Sequence, residues 1–452
     1  MNPFLLIAAR NLVKNRSRTL LLGGAVASVT LLLVVLLGVV AGVRQTLLEN
    51  ALALSSGHVN VGGFYKISQS SASPILTGFQ PIKKLVTETV PNATLILERI
   101  KAWGKIISEE GAVQIPVWGV DVKREKEILG KLMLAPKRDY IEGFKLAEGQ
   151  TEFEGGVDQL ANRAGIILFA THARKLKVRV GDTVTLSVPT YRNMSNTKDV
   201  RVVAVLKDLG MMSAYTAFMN DLDARELYQM QPDTTGQIMI YFRNLSEASD
   251  GENKIRKALS ERGYPMLDKD PNPFWMKFGR ISAESWTGQK IDVTNWEDET
   301  SFIKWILDVY NALTFLLTGI LMLIVVLGLV NSLWMSIRER TGEIGTLRAI
   351  GLQRSKVRLM FVIEAFLLSS SSAAVGVALG TLFNLILNSL HLPIRGEAFQ
   401  MFLMSHTLTV AVRGQDVFFT FLAITIFLTL GSLYPSSKAS KLKPITAMNE
   451  AV

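Results

Sequence analysis

The chain contains no cysteine, so no disulfide holds any part of it, and a soluble portion must be stabilised by a packed core. It has no G-x-x-x-x-G-K-[ST] run. The Gly-Lys pairs at Gly104 and Gly130 are followed by Ile and Leu, so the loop that wraps nucleotide phosphates is missing. Histidine is scarce: His58, His172, His391 and His406 are scattered. This spacing argues against a zinc centre and for packing or surface roles. No Ser/His/Asp grouping stands at a recognisable spacing, and there is no internal repeat or low-complexity tract. Charge is absent from four stretches, Thr19–Val43, Val309–Ile337, Ala365–Leu390 and Val417–Ser437.

Those uncharged stretches are apolar. Crossing roughly 30 Å of hydrocarbon at 1.5 Å per residue takes about 20 residues, and each run is long enough. The polar residues between the first and second runs could not enter lipid. The net charge of +10 and mean hydropathy of +0.26 therefore average two materials, and the length allows about two compact soluble domains beside the membrane part. The basic excess need not mean nucleic acid, and no nucleic-acid partner is expected. Arg10, Lys14, Arg16 and Arg18 precede the first run. Arg338, Arg340, Arg348, Arg354, Lys356 and Arg358 fill the second-to-third link, and Lys438, Lys441 and Lys443 follow the fourth. Only Arg395 and Arg413 lie between the third and fourth. By the positive-inside rule both termini and the second-to-third link are cytoplasmic and the large domain is outside. Four spans place both ends on one side, in agreement with the charges. The first run is read as a retained helix. It is too long for a signal h-region, and Arg44 and Glu49 separate it from the cleavage-like Ala51-Leu52-Ala53.

The expected fold is a membrane protein with four transmembrane α-helices, one N-terminal and three C-terminal, and a large extracytoplasmic α+β domain of two lobes. Residues 1–18 form an N-terminal amphipathic helix with Phe4, Leu5, Ala8, Leu12 and Val13 on its apolar side. The spans are 19–43, 309–337, 365–390 and 417–437. The outer domain is 44–308, with a short outer loop at 391–416 and a cytoplasmic tail at 438–452. Strands are expected at His58–Val61, Thr94–Ile107, Gly111–Val120, Gly165–Phe169, Thr183–Val188, Val200–Leu206 and Gln237–Phe242. Helices are expected at Thr171–Leu176, in the latter part of Phe218–Tyr228, and over Ser246–Arg262, with Asp221 and Asp223 suiting the second helix start. Gly155-Gly156 marks a subdomain boundary. Trp275, Trp286 and Trp296 read as aromatic packing where the domain returns to the membrane, with a substrate-binding patch as the alternative.

The link over 338–364 carries Arg338-Glu-Arg-Thr-Gly-Glu-Ile-Gly-Thr-Leu-Arg-Ala-Ile-Gly351. Ile344, Leu347 and Ile350 recur at helical spacing, predicting one apolar face pressed on the membrane. Arg340 and Glu343 can pair on the other face, and Gly351 can stop the helix. A basic inner loop that simply obeys topology would also account for the charges. Glu364, at the inner edge of the third span, is expected to pair with Arg358 or Arg354. On the third span Ser369–Ala374, Gly376 and Gly380 form a small-residue face for close helix packing.

Glu343-Ile344-Gly345 followed by Leu347-Arg348-Ala349-Ile350-Gly351 resembles the signature of the FtsX-like permeases of ABC transporters. The one-plus-three layout, the outer domain and the ending Tyr434-Pro435-Ser436, Ala439, Pro444 and Ala447 fit the same resemblance. Gly165–Pro189 is similar to the outer domain of the lipoprotein-releasing Lol permeases. The resemblance implies a coupling helix over Arg338–Gly351 that docks on a separate ATPase, with Arg340, Glu343, Ile344, Leu347, Arg348 and Gly351 as coupling residues. It also implies an inserted outer lobe at about 140–228. The chain would be a non-catalytic permease with no cofactor of its own, ATP and Mg residing on an ABC ATPase dimer. Its partners would be a second permease copy or paralogue, a periplasmic carrier or adaptor, and membrane lipid. Its place would be the bacterial inner (cytoplasmic) membrane. Lipoprotein release is preferred to MacB-like efflux, because MacB-like pumps usually fuse the ATPase at the N-terminus. The short Pro189–Val200 connection departs from hook-bearing Lol permeases and argues against direct chaperone capture. The alternatives are a MacB-like efflux permease, an FtsX-like activator of cell-wall hydrolases, and a membrane-anchored enzyme, the last disfavoured by the lack of an evident site.

Overall fold

A computed structural model describes residues 3–14, 16–69, 71–146, 151–190, 194–394, 399–400, 403, 405 and 407–441. His406, Arg395, Pro444, Ala447 and most of the tail lie outside the described residues. The chain divides into a membrane unit (1–45, 306–393, 407–452) and an outer unit (46–305, 394–406).

The chain opens with α1 (Pro3–Lys14) and the long α2 (Arg16–Ser55). Its outer unit then follows, beginning with β1 (Val59–Ser68), β2 (Ser71–Ser73), β3 (Leu76–Thr77), α3 (Phe79–Thr89), β4 (Leu95–Ile107) and β5 (Ala112–Val120). A turn of helix, α4 (Lys126–Leu129), precedes β6 (Gly165–Phe169), α5 (Ala170–Leu176), β7 (Thr183–Pro189) and β8 (Ser195–Leu206). Then come β9 (Ala217–Asn220), α6 (Asp221–Tyr228), β10 (Thr234–Thr235), β11 (Gln237–Tyr241), α7 (Ala248–Glu261), α8 (Phe274–Ala283), β12 (Gly288–Asn295) and α9 (Trp296–Glu299).

The strands order as β12-β1-β11-β4-β5-β9-β6-β8-β7, with β2 on β1 and a further β4–β7 pairing. β10 and β3 pair separately. The strand β4 serves two neighbours in turn. Leu95–Arg99 pairs with β11, and Ile100–Ile107 pairs with β5. Each side has its own apolar core. One gathers Val59, Val61, Ile238, Ile240, Ile291 and Val293 under Phe79, Ile82 and Val86 of α3 and Ile255 and Leu259 of α7. The other gathers Ile106, Ile115, Val117, Ile166, Leu168, Val184, Leu186 and Val202 with Leu176 and Leu227. These are the two lobes. In α6, the Asn220 side chain accepts from Leu222 N at the N-cap, and Asp221 and Asp223 occupy the first turn, where anionic groups meet the positive end of the helix dipole. Gly155 departs from its expected boundary role. It bridges to Ala204 of β8 and lies inside the second lobe.

The outer unit also buries charge. Arg99 and Glu125 have fully buried side chains and meet through Nε at 2.8 Å and Nη2 at 2.5 Å. Lys277 donates to Asp292 at 2.8 Å. Lys101 stacks its Nζ 3.5 Å above the Phe274 ring. Burial pushes its pKa down to about 8 against the pull of Glu299 and Asp292. The buried Lys66 donates to the carbonyls of Ile281, Ser282 and Glu284, and its Nζ lies 5.1 Å from the Trp286 ring. His58 Nδ1 accepts from Phe242 N, and His172 Nε2 meets Ala214 O at 3.0 Å. Burial lowers both imidazole pKa values. Trp296 packs on the first core, while Trp275 remains 47% exposed.

The C-terminal helices are α10 (Ser301–Glu339), α11 (Thr341–Ala349), α12 (Arg354–Ser389), α13 (Gly414–Gly431) and α14 (Leu433–Ser440). Among the described residues four helical stretches are long and apolar enough to cross a membrane: Thr19–Leu52, Lys304–Glu339, Arg354–Ser389 and Gly414–Ser440. Pro435 falls in the first turn of α14, where its missing N–H costs little. The bundle core contains Val26, Leu33, Leu329, Leu333, Ala365, Leu368, Ile424 and Leu428. Glycines set the approach of α2 to α12. A Cβ on Gly376 would stand 2.5 Å from Ala27 O, and one on Gly380 would stand 2.9 Å from Val34 Cβ. Large side chains such as Phe315, Leu323, Phe419 and Leu430 face outward, as a lipid-facing surface requires.

Candidate coupling site

The site is built where α10 breaks and the chain turns back into α12. Thr341 Oγ1 lies 2.9 Å from the carbonyl oxygens of both Ile337 and Arg338 and shares its one proton between them. These bonds occupy acceptors at the end of α10, and the chain restarts as α11. The far end of α11 closes as a Schellman motif. Leu352 N donates to Leu347 O at 3.0 Å and Gly351 N donates to Arg348 O at 3.2 Å. Gly351 has φ +103°, a conformation that penalises any Cβ. Leu352 then packs on a small apolar cluster of Ile337, Ile344, Val357, Met360, Phe361 and Ala439.

The apolar stripe of the link is not one surface. Ile344 is buried in that cluster, while Leu347 is 39% and Ile350 80% exposed. The expectation of a single apolar face is corrected accordingly. The register of α11 spends one of the three residues on the protein and leaves two outside.

Arg340 is the centre of the polar side. Its Nε donates to Glu343 Oε2 at 2.9 Å and its Nη1 to Glu364 Oε2 at 3.2 Å. Its guanidinium lies 5.7 Å from the Phe361 ring centre. The Arg340 and Glu364 side chains are each 12% exposed, so water screens their pairing less than that of a surface pair. Glu364 therefore meets Arg340, rather than the Arg354 or Arg358 expected from the sequence. The planar fork of arginine reaches two carboxylates on two helices at once. Lys14 of α1 stands 4.0 Å from Glu343, with both side chains exposed. Arg348 donates weakly from Nη1 to Leu352 O at 3.4 Å. Beside Glu364 a small recess is lined by Asn11, Thr19, Ser332 and Leu368. Gly376 and Gly380 lie farther along α12, against α2. The arrangement ties a short helix to the start of a long apolar one through one partly buried cation.

Two family models account for most of the chain. Residues 19–258 match the MacB-like periplasmic core domain, and residues 315–444 match the FtsX-like permease C-terminal. The chain belongs to the FtsX-like permease family. It is similar to permeases of the MacB and LolC/LolE type. It is 28% identical over 253 residues to the macrolide export ATP-binding/permease protein MacB of Bdellovibrio bacteriovorus, covering 56% of this chain and 34% of that protein. It is 19% identical over 308 residues to the lipoprotein-releasing system transmembrane protein LolE of Haemophilus influenzae, covering 66% of this chain and 67% of the other. It is 24% identical over 294 residues to LolC of Buchnera aphidicola, covering 62% of each. The chain thus spans about a third of the MacB relative's length. Among solved structures, the extracellular domain of YknZ from Gram-positive bacteria matches at 10% identity and a TM-score of 0.29, covering 51% of this chain and 98% of that one.

The tie between Arg340, Glu364 and Phe361 escaped sequence reasoning on this permease, because Arg340 and Glu364 are 24 residues apart and belong to different helices. One signal was available. A lone carboxylate at the edge of an apolar run demands a cation, and Arg340 is the cation that the turn returns to it.

Proposed function

We propose that this permease transmits force from a separate ABC ATPase dimer to its outer lobes, in the release of lipoproteins from the bacterial inner membrane. The observation that carries this reading is the pairing of exposed Leu347 and Ile350 with the partly buried Arg340–Glu364 tie. A partner that grips the exposed residues moves α11, and the tie passes that movement to α12. ATP and Mg stay on the partner. Uncharged spans suit a device that moves helices without conducting a polar cargo. Two permease chains, identical or paralogous, complete the unit, with termini and α11 cytoplasmic and the lobes periplasmic. Lipoprotein as cargo draws support from LolE and LolC, which align along about two thirds of their own length. The match to the MacB-like core favours efflux as the second reading.

The lack of native cysteine makes the test clean. Ile350→Cys carries the sole thiol of the chain, and a thiol-anchored photo-cross-linker there is expected to capture an ABC ATPase from native membranes. Capture of no ATPase overturns the docking role. Arg340→Gln is expected to leave insertion intact, uncouple permease-dependent ATPase stimulation and hold lipoproteins in the inner membrane fraction. Normal lipoprotein sorting with new drug sensitivity would move the assignment to efflux.

A further inference from the structure

The last turn of α2 is held by a side chain that the coupling scheme leaves unused. α2 runs unbroken from Arg16 to Ser55 with no basic residue in its final turn, so its terminal carbonyls have no cation of their own. β4 supplies one. Arg99 Nη1 donates to Leu54 O at 3.1 Å across 45 residues of sequence. The same guanidinium donates to Glu125 Oε2 from Nε at 2.8 Å and from Nη2 at 2.5 Å, and both side chains are 0% exposed. Glu125 is fixed in turn by its backbone. Its N–H donates to Asp121 O, next after β5, and its carbonyl accepts from Ile128 and Leu129 of α4. Arg99 is also where β4 changes neighbours: it faces Gln237 of β11, while Ile100 faces Gly119 of β5. One planar fork therefore joins the end of α2, the joint between the lobes and the segment that leaves β5.

The covalent path from α2 leads into the first lobe, through Ser56-Gly57-His58 to β1. A load on that path reaches the second lobe by crossing β11 and β4. The Arg99 path skips the crossing. Stability is a weak reason for such a pair, since apolar side chains of similar size often serve a core as well. Glu125 Oε1 is moreover buried with no hydrogen-bond partner, a cost that a brace built for stability alone would avoid. We infer that Arg99 is a positioning residue that makes the second lobe follow the end of α2. The inference rests on the force-transmission reading and names the residue through which the force arrives. The first lobe is attached to α2 through β1 and to α10 through β12 and α9. Movement of α2 against α10 thus divides over the first lobe, whereas the second lobe turns with α2.

The test is a distance measurement between paired spin labels on the full chain, in nanodiscs with the ABC ATPase that Ile350→Cys captures, before and after trapping with ATP and vanadate. The chain has no native cysteine, so each introduced pair carries all the label, and dilution with unlabelled chain keeps one labelled copy per complex. Lys257→Cys with Glu110→Cys, both exposed, spans the two lobes. Glu49→Cys with Lys126→Cys, also exposed, spans α2 and the segment after β5. Trapping is expected to shift the first separation and leave the second unchanged. Arg99→Met with Glu125→Leu is expected to lose the first shift while permease-stimulated ATP hydrolysis continues. A first shift that survives in that double variant overturns the inference, because β4 alone would then carry the movement. So does a second separation that changes on trapping, which is read with Arg99 and Glu125 in place and decides even where the double variant fails to fold. No shift between the lobes with Arg99 and Glu125 in place overturns the force-transmission reading itself, and the inference with it.

Discussion

In the outer unit, Arg99 and Glu125 lie in full burial, with Lys277–Asp292 and the nearly enclosed Lys101 elsewhere in the same unit. In the membrane unit, by contrast, several buried polar groups bond within their own helix, as Thr30 does to Val26 O and Ser436 to Ser432 O, and the cross-helix bond from Asn384 to Val34 O carries no charge. Helices there approach through Gly376 and Gly380, and Arg340 meets Glu364 near the end of the apolar stretch. The difference follows from the solvent. A chain folding in water can bury paired charges because ladder bonds and apolar cores carry the cost. In lipid an ionised side chain at mid-span costs about 2.5–3.5 kcal/mol on insertion scales, so shape replaces charge as the means of fixing one helix against another.

The largest effect should come from breaking a pair in the outer unit. Glu125→Ala strands Arg99 without its counter-charge and is expected to cost about 3–5 kcal/mol in urea unfolding of the full chain. Arg99→Met with Glu125→Leu should recover much of that loss, and a double variant as weak as the single one would refute the account.

Next is a pH effect. The unfolded chain holds the Lys101 proton to its ordinary pKa of 10.5, while the folded chain releases it near 8. Between those values the unfolded state binds more protons, so stability rises with pH, and the penalty of the buried ammonium is felt in full below 8. The rise should be roughly 2–3 kcal/mol from pH 8 to 10, and Lys101→Met should flatten it. Above pH 10 the trend reverses, because burial raises Tyr228 and Tyr241 to about 12 and the folded state then holds their protons longer.

The membrane unit should respond to size instead. Gly376→Leu drives a side chain toward Ala27 and Thr30 and is expected to cost about 1–3 kcal/mol, read as a lower melting temperature in detergent. Smallest is Lys14→Ala, which removes an exposed 4.0 Å contact to Glu343. No measurable shift in melting temperature is expected.

The parts of the fold legible in the sequence were those written in local pattern. The uncharged runs, the apolar Gly165–Phe169 strand and the acidic start of α6 need no distant information. β1 and β8 outran their expected lengths, starting or ending among polar residues such as Lys66 and Lys198. Alternation fades there, and pairing holds the strands, β1 with β12 and β2, and β8 with β7. At the coupling site, Gly351 and the Arg340–Glu343 spacing could be read from a single helix. The meeting of Arg340 with Glu364, and the division of Ile344 from Leu347 and Ile350, depend on how α11 lies against α12. Periodicity names a stripe but not which part of it a neighbour covers.

β4 has a mechanical consequence. Because Leu95–Arg99 serves one lobe and Ile100–Ile107 the other, the joint between them is extended backbone, near its maximum reach at about 3.3 Å per residue. Such a joint cannot stretch, and it cannot swivel freely without tearing its rungs. It can wring. A load on the first lobe reaches the second as torsion along a shared rod, with little slack to absorb it.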